Sequence, residues 1–357
     1  MTVVIFIAIL SFLVLAHEAG HFFAAKRAGV RVHEFGLGFP PKIYGKQIGE
    51  TEYTINLLPL GGFVRIEGED GAKTNDARSF ANKPFGTKLL ILLAGVMINW
   101  MLAAMLLGVV QTVGTAVPIA DTQYGENARV TIASVAKDAP AGIAELSIGD
   151  TIKSITTSSG MVEISRIDEV QEVLGGHAGE EVTLVISRND VLRTVTLTPR
   201  ENPPKGEGAI GVALIRVATV RYPWYEAPWR GVFLAGSLTI AMLGSFGDML
   251  KTLIVEHRAV EGLAGPIGIA YLTGEVRSLG ALFMINFIAI LSLNLAILNA
   301  LPFPALDGGR AVVAFIEKIR GRAISARLLG RVNATGFAIL LVLIVAISIR
   351  DIQVYIL

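Results

Sequence analysis

The chain alternates between long apolar runs and stretches of ordinary polar composition. Four runs are long and apolar enough to cross a bilayer, which takes about 20 residues: 3–25, 88–111, 281–301 and 333–349. A fifth, "GVFLAGSLTIAMLGSFGDML" (231–250), carries Asp248 and follows "RYPWYEAPWR", whose Trp and Tyr suit a membrane–water interface. It is expected to be an interfacial or re-entrant amphipathic helix. Between the second and third runs, residues 117–220 have the composition of a soluble domain. The expected fold is a polytopic α-helical membrane protein with four transmembrane helices and an inserted α+β domain. Its parts are an N-terminal membrane region (1–116), the inserted domain (117–220), an interfacial segment (221–280) and a C-terminal membrane region (281–357).

Two polar stretches carry finer patterns. Within 32–87, Tyr53–Leu58 and Phe63–Ile66 alternate in the β manner and are joined through "PLGG", a hairpin signal. The neighbouring Gly36, Leu37, Gly38 and Phe39 are apolar enough for this β-hairpin element to dip into the membrane. In the inserted domain a strand near 130 is followed by a short helix after Pro140 and a turn at Gly149-Asp150 that opens the next strand. A helix is expected over 167–175 and strands over 181–188 and 191–198.

Composition agrees with a membrane protein. Of 357 residues 52% are hydrophobic and 17% charged, with mean hydropathy +0.59, which excludes an ordinary soluble enzyme. A net charge of +1 supplies no field that attracts nucleic acid or anionic lipid; the lipid bilayer is the expected partner on hydropathy alone. The absence of cysteine removes disulfides and thiolate metal sites. The first residues lack a basic leader and a small-x-small cleavage site, and so read as a retained spanning helix rather than a signal peptide. Lys26, Arg27 and Arg31 follow the first run, and Arg310, Lys318, Arg320, Arg322, Arg327 and Arg331 lie between the last two. By the positive-inside rule both loops are cytoplasmic, which puts the N-terminus and the 117–220 domain outside, in the periplasm of a cell with an inner membrane.

The first apolar run ends in chemistry. His17-Glu18-Ala19-Gly20-His21 is an HExxH: on a helix, positions i and i+4 share a face, so both imidazoles can ligate one Zn²⁺. Glu18 is turned by about 100°, close enough to act as a base on water at the metal without being a ligand. Ionisable groups inside a membrane helix cost on the order of 2–3 kcal/mol each and persist where they have a partner or a function. Such a site needs a third protein ligand and an open position. The extension that would supply a third histidine is missing, since Ala24 and Arg27 stand there. Two acids are candidates. Glu34 is near in sequence, but no helix carries it onto the His17/His21 face. Asp307 follows an apolar helix broken at Pro302 and Pro304, in irregular backbone that is tolerated at membrane depth where it is buried or lines a wet cavity.

HExxH in the first helix together with "NALPFPALDGG" near the end of the third resembles the site-2 protease family of intramembrane zinc metalloproteases. The resemblance covers most of the chain, and "LAGVMINWMLA" (93–103) is similar to the family's second-helix motif, with Val96 where a proline is usual. It implies that His17, His21 and Asp307 bind zinc and that Glu18 activates water. It further implies that Asn299 helps hold the substrate or stabilise the reaction, and that the hairpin at 53–66 is the family's membrane-associated β-element. A helical substrate has to unwind to be cut, and residues 53–66, with Tyr53, Thr54 and Ile55 among them, are expected to pair with its extended strand. The substrates it implies are single-pass transmembrane proteins, such as trimmed anti-sigma factors or remnant signal peptides. The 117–220 domain resembles a single, circularly permuted PDZ domain, with "GAIGVALIRV" (208–217), including Gly211 and Val212, where a groove would bind a peptide or carboxy-terminus. Two other classes are open on the residues alone: a non-catalytic PDZ scaffold in the membrane, and a metal transporter.

Overall fold

The computed structural model describes residues 1–357 except 70–75, 122–127, 137, 189–190, 205, 257–263, 323 and 356–357. In chain order the elements are α1 (Thr2–Arg27), β1 (Val32–Ile48), β2 (Thr51–Ile66), α2 (Phe85–Val113), β3 (Thr115–Pro118), β4 (Arg129–Val135), α3 (Pro140–Ile143), β5 (Thr151–Thr157) and β6 (Gly160–Glu163). They continue as α4 (Ile167–Gly176), β7 (Val182–Arg188), β8 (Val191–Leu197), β9 (Val212–Val220), α5 (Ala227–Ile254), α6 (Pro266–Ser278), α7 (Ala281–Ala300), α8 (Asp307–Arg320) and α9 (Ala326–Tyr355). The chain divides into two compact units, Met1–Val109 with Pro228–Leu357, and Val110–Ala227.

In the first unit, five helices among the described residues are long and apolar enough to cross a membrane: α1, α2, α5, α7 and α9. Four were expected. The fifth, α5, is a continuous 28-residue helix without the reversal of a re-entrant segment, and it qualifies as a span by length and composition alone. Its first turns run antiparallel along α2, which also departs from a helix lying flat at the interface. Gly231 packs on the α2 backbone at Ala104 and Gly108, and Trp100 Nε1 donates to Thr239 Oγ1 at 3.0 Å. Asp248 interrupts the apolar run without interrupting the helix, because one polar side chain does not break backbone hydrogen bonding.

Pairwise contacts fix the helix directions. α2 runs antiparallel to α1, with Gly20 against Ala94 and Gly95. It also runs antiparallel to α7, since Ser292 Oγ donates to the Asn99 carbonyl at 2.8 Å while Ala289 packs with Ala104. At one end of the unit, α6 meets both termini of the helical set: Gly274 lies beside Thr2, and Gly265 beside Ile347 and Asp351. At the other end, the Lys318 ammonium sits 4.6 Å from the centre of the Phe85 ring.

β1 and β2 make a β-element unlike the predicted hairpin. Each strand bends and is used twice. Residues 32–39 pair on one side with 62–66 and on the other with 52–58, and 51–56 pair in turn with 42–48. Tyr53–Leu58 and Phe63–Ile66 are therefore not partners, because 32–39 lies between them. "PLGG" is a wide reversal rather than a tight turn. Gly61 takes φ +97° against Val14 of α1, and a Cβ on Gly62 would meet the Gly36 carbonyl oxygen at 2.8 Å. Ser11 of α1 holds this reversal by donating to the Pro59 carbonyl at 2.5 Å. Ser11 lies six residues before His17, about 9 Å along a helix.

The second unit is a seven-stranded antiparallel sheet in the order β3-β9-β4-β5-β7-β8, with β6 paired to β5 and α4 packed on its core. Ile132, Ile152, Ile155, Leu184 and Ile186 are fully buried there beside Val170 and Leu174 of α4. The elements expected from the sequence between 130 and 198 are present; β3 and β6, four residues each, carry too little pattern to have been expected.

Candidate metal centre and substrate cleft

His17 and His21 lie one helical turn apart on the buried side of α1, 5% and 6% exposed. That face is packed against α2, and glycine permits the approach. A Cβ on Gly95 would come within 2.7 Å of the His17 ring, and one on Gly20 within 2.6 Å of the Ala94 carbonyl oxygen. The imidazoles thus occupy space that any larger residue at 95 would take.

Asp307 arrives from 290 residues away. α7 stops at Ala300 because Leu301 precedes Pro302 and takes the extended conformation that a following proline demands (φ −62°, ψ 142°). The reversal that follows is tied to α9, where Gly336 lies against Pro304 and the Ala305 N–H donates to Asn333 Oδ1 at 3.4 Å. Asp307 then opens α8. Gly308 and Gly309 pack directly on the carbonyls of Ala300, Leu301 and Phe303, where a Cβ would collide.

Three donor atoms converge. Asp307 Oδ2 is 2.8 Å from His17 Nε2 and 3.3 Å from His21 Nε2, and the two nitrogens are 3.1 Å apart. Two imidazole nitrogens and one carboxylate oxygen within 4.8 Å of one another are the donor set of a catalytic zinc site, which takes three protein ligands and keeps a fourth position open. The His21 Nδ1–H donates to the Ile91 carbonyl at 2.8 Å. A carbonyl only accepts, so this bond leaves the Nε2 lone pair of His21 free to face a metal.

A cleft of about 360 Å³ opens on these atoms. Glu18 and Asn299 line it with the three donors, as does the strand Gly62-Phe63-Val64. Glu69 and Arg310, also on its wall, form an ion pair that joins the end of β2 to the first turn of α8. From the sequence Glu69 is not singled out, and Arg310 serves only as a loop charge that orients the helices. Glu34, the other acid weighed as a ligand, accepts from Thr54 Oγ1 at 2.9 Å instead.

The strand Tyr53–Ile55, expected to contact substrate, lies inside the β-element. Tyr53, Thr54 and Ile55 are paired on both sides, with Phe35, Gly36 and Leu37 and with Lys46, Gly45 and Tyr44, so their backbone has no open edge. The Tyr53 ring packs on Phe22 and Phe35, and Thr54 is buried. The open edge is instead Gly62–Ile66, whose only strand partner among the described residues is Val32–Leu37. In the second unit, Gly211 has φ +73° and its carbonyl accepts from the Ala136 N–H at 2.9 Å. Val212 begins β9; β3 covers only Val217–Val220, so Val212–Ile215 has β4 as its only strand partner among the described residues.

A multi-pass helical membrane protein with a buried His-Glu-His helix and a remote aspartate defines a membrane metalloprotease. The chain belongs to peptidase family M50, whose model matches residues 5–343. A candidate zinc metalloprotease of Clostridium acetobutylicum is 32% identical over 353 residues, 98% of this chain and 97% of that one. The zinc metalloprotease RasP of Oceanobacillus iheyensis is 29% identical, covering 99% of both chains. The regulator of sigma-W protease RasP of Bacillus subtilis is 28% identical over 99% of this chain and 98% of its own. Among solved structures, the PDZ domain of an SdrC-like protein from Listeria monocytogenes matches 27% of this chain and 93% of its own, at 23% identity and TM-score 0.21. The protein is a zinc metalloprotease that acts within the membrane.

Proposed function

We propose that His17, His21 and Asp307 are the zinc ligands, that Glu18 is the general base, and that the substrate is the transmembrane segment of a single-pass membrane protein. The observation that carries this reading is the convergence of the three donor atoms beside Glu18 at the bottom of a cleft walled by an open strand edge. Zinc held by these ligands supplies Lewis-acid activation of water and of the scissile carbonyl. Glu18 accepts the proton of the attacking water and returns it to the leaving amine. A helical substrate hides its amides in internal hydrogen bonds, so it must be drawn out locally before it can be cut. The Gly62–Ile66 edge provides backbone partners for the extended segment by strand addition, and Asn299, on the cleft wall, contacts that segment.

In this reading α1, α2, α7 and α9 are the four spans. The end of α2 and the start of α7 belong to the same end of the bundle, so the chain from 114 to 280 leaves and returns on one side, with α5 resting along the outer half of α2. Arg and Lys between α7 and α9 make the metal end cytoplasmic, in the cell inner membrane, and residues 117–220 extracytoplasmic. That domain is read as a PDZ domain in which the open β9 edge beside Gly211 and Val212 receives a peptide or carboxy-terminus, or which excludes untrimmed substrates by size. The family resemblance implies pre-trimmed anti-sigma factors or remnant signal peptides as the substrate class, and a relative named as a regulator of sigma-W protease is in keeping with the first.

The test is to map the cut in a tagged single-pass substrate by mass spectrometry of the products. Cleavage inside the apolar segment supports the reading; cleavage only in the flanking loops overturns it.

A further inference from the structure

The two ligand histidines are treated differently by α2. His21 has a carbonyl against its Nδ1, which settles its tautomer. His17 has the side chain of Asn99, whose Nδ2 lies 3.5 Å from His17 Nδ1. Asn99 is fully buried, and its Oδ1 is a buried acceptor with no hydrogen-bond partner. An orphaned buried acceptor costs about 1–3 kcal/mol, so one beside a ligand histidine calls for an explanation.

The chemistry of ligation supplies it. If Nε2 of His17 faces zinc, the neutral ring carries its proton on Nδ1, and Nδ1–H needs an acceptor. Rotation of the Asn99 amide by 180° exchanges its two ends, oxygen for N–H₂, within the same planar outline. The rotation brings the orphaned Oδ1 to Nδ1–H and removes a contact between two donors. The amide thereby suits both conditions of the ring: its N–H₂ serves His17 when Nε2–H donates to Asp307, and its oxygen serves His17 when Nε2 is a ligand. Asn99 itself is held in place, because its carbonyl accepts from Ser292 of α7.

We infer that Asn99 is a positioning residue for the zinc site: its side-chain oxygen accepts the His17 Nδ1–H, fixing the ring so that Nε2 faces the metal. This rests on the proposal that His17 ligates zinc. The full-length protein is purified in micelles, stripped of metal, and titrated with Zn²⁺ against a chromophoric chelator. Asn99→Leu, which keeps the volume and removes the acceptor, is expected to weaken zinc binding 10–100-fold. Asn99→Asp, which keeps an acceptor, is expected to stay within a few-fold of the parent. Retention by Asn99→Leu, or equal loss in both variants, overturns the inference. A second measurement does not depend on the variants folding: ¹⁵N-histidine NMR of the zinc-loaded parent should show His17 protonated at Nδ1, and a protonated Nε2 with bare Nδ1 overturns it. Full zinc affinity in His17→Ala would instead defeat the underlying ligand assignment.

Discussion

His17 Nε2 and Asp307 Oδ2 lie 2.8 Å apart, although 290 residues separate them in the chain. One comes from a continuous helix and the other from the first residue after a proline-broken reversal. Their meeting depends on glycine wherever backbone has to come close: Gly95 under the imidazoles, and Gly308 and Gly309 under α8.

Gly95 gives the sharpest packing prediction. In Gly95→Ala the new methyl would lie within 2.7 Å of the His17 ring, so α1 and α2 must separate or the ring must turn. Overpacking of this kind costs roughly 1–3 kcal/mol. Zinc content after dialysis should fall well below that of the parent, and proteolysis should fall with it; full zinc occupancy would show that the helices absorb the methyl.

The open strand edge can be tested by a proline scan over Gly62–Arg65. In an antiparallel pair, successive N–H groups point to alternate sides. Prolines whose missing N–H faced the cleft should abolish cleavage while zinc stays bound, and those facing β1 should destabilise the element. Prolines at Tyr53, Thr54 or Ile55 should destabilise it at every position, since both sides are paired. Loss of cleavage without destabilisation at 53–55 would return the substrate edge to that strand.

The inserted domain makes a separate prediction. Deleting residues 120–215 leaves β3 and the β9 residues that pair with it, 217–220, to close the chain. The deleted form should cut an untrimmed single-pass substrate that the parent leaves intact, as measured by the ratio of the two cleavage rates. An unchanged ratio would remove selection of substrates from the domain's role.

Much of this site could be read from the sequence, for physical reasons. HExxH in an apolar helix specifies its own geometry, because the helical repeat places His17 and His21 on one face. Asp307 could be read because Pro302 and Pro304 announce irregular backbone where a bilayer permits little. The β-element was misread because "PLGG" has the local signature of a hairpin turn, while the actual pairing is decided by strands 32–39 and 42–48, which local pattern does not address. The continuity of α5 was not legible, because one Asp and flanking aromatics resemble an interfacial or re-entrant segment and helix continuity leaves no compositional trace. Gly95 gave no signal at all: a glycine in an apolar helix looks the same whether it faces lipid or a metal ligand.

The central claim is that Glu18 does chemistry at a zinc site it does not help to build. The most direct test is Glu18→Gln in membranes with a tagged single-pass substrate, measuring cleavage and bound zinc on the same sample. Cleavage should fall by at least 10²–10⁴-fold, the usual contribution of a positioned general base, while zinc remains near one per chain. Cleavage that survives, or zinc lost together with activity, would contradict the account.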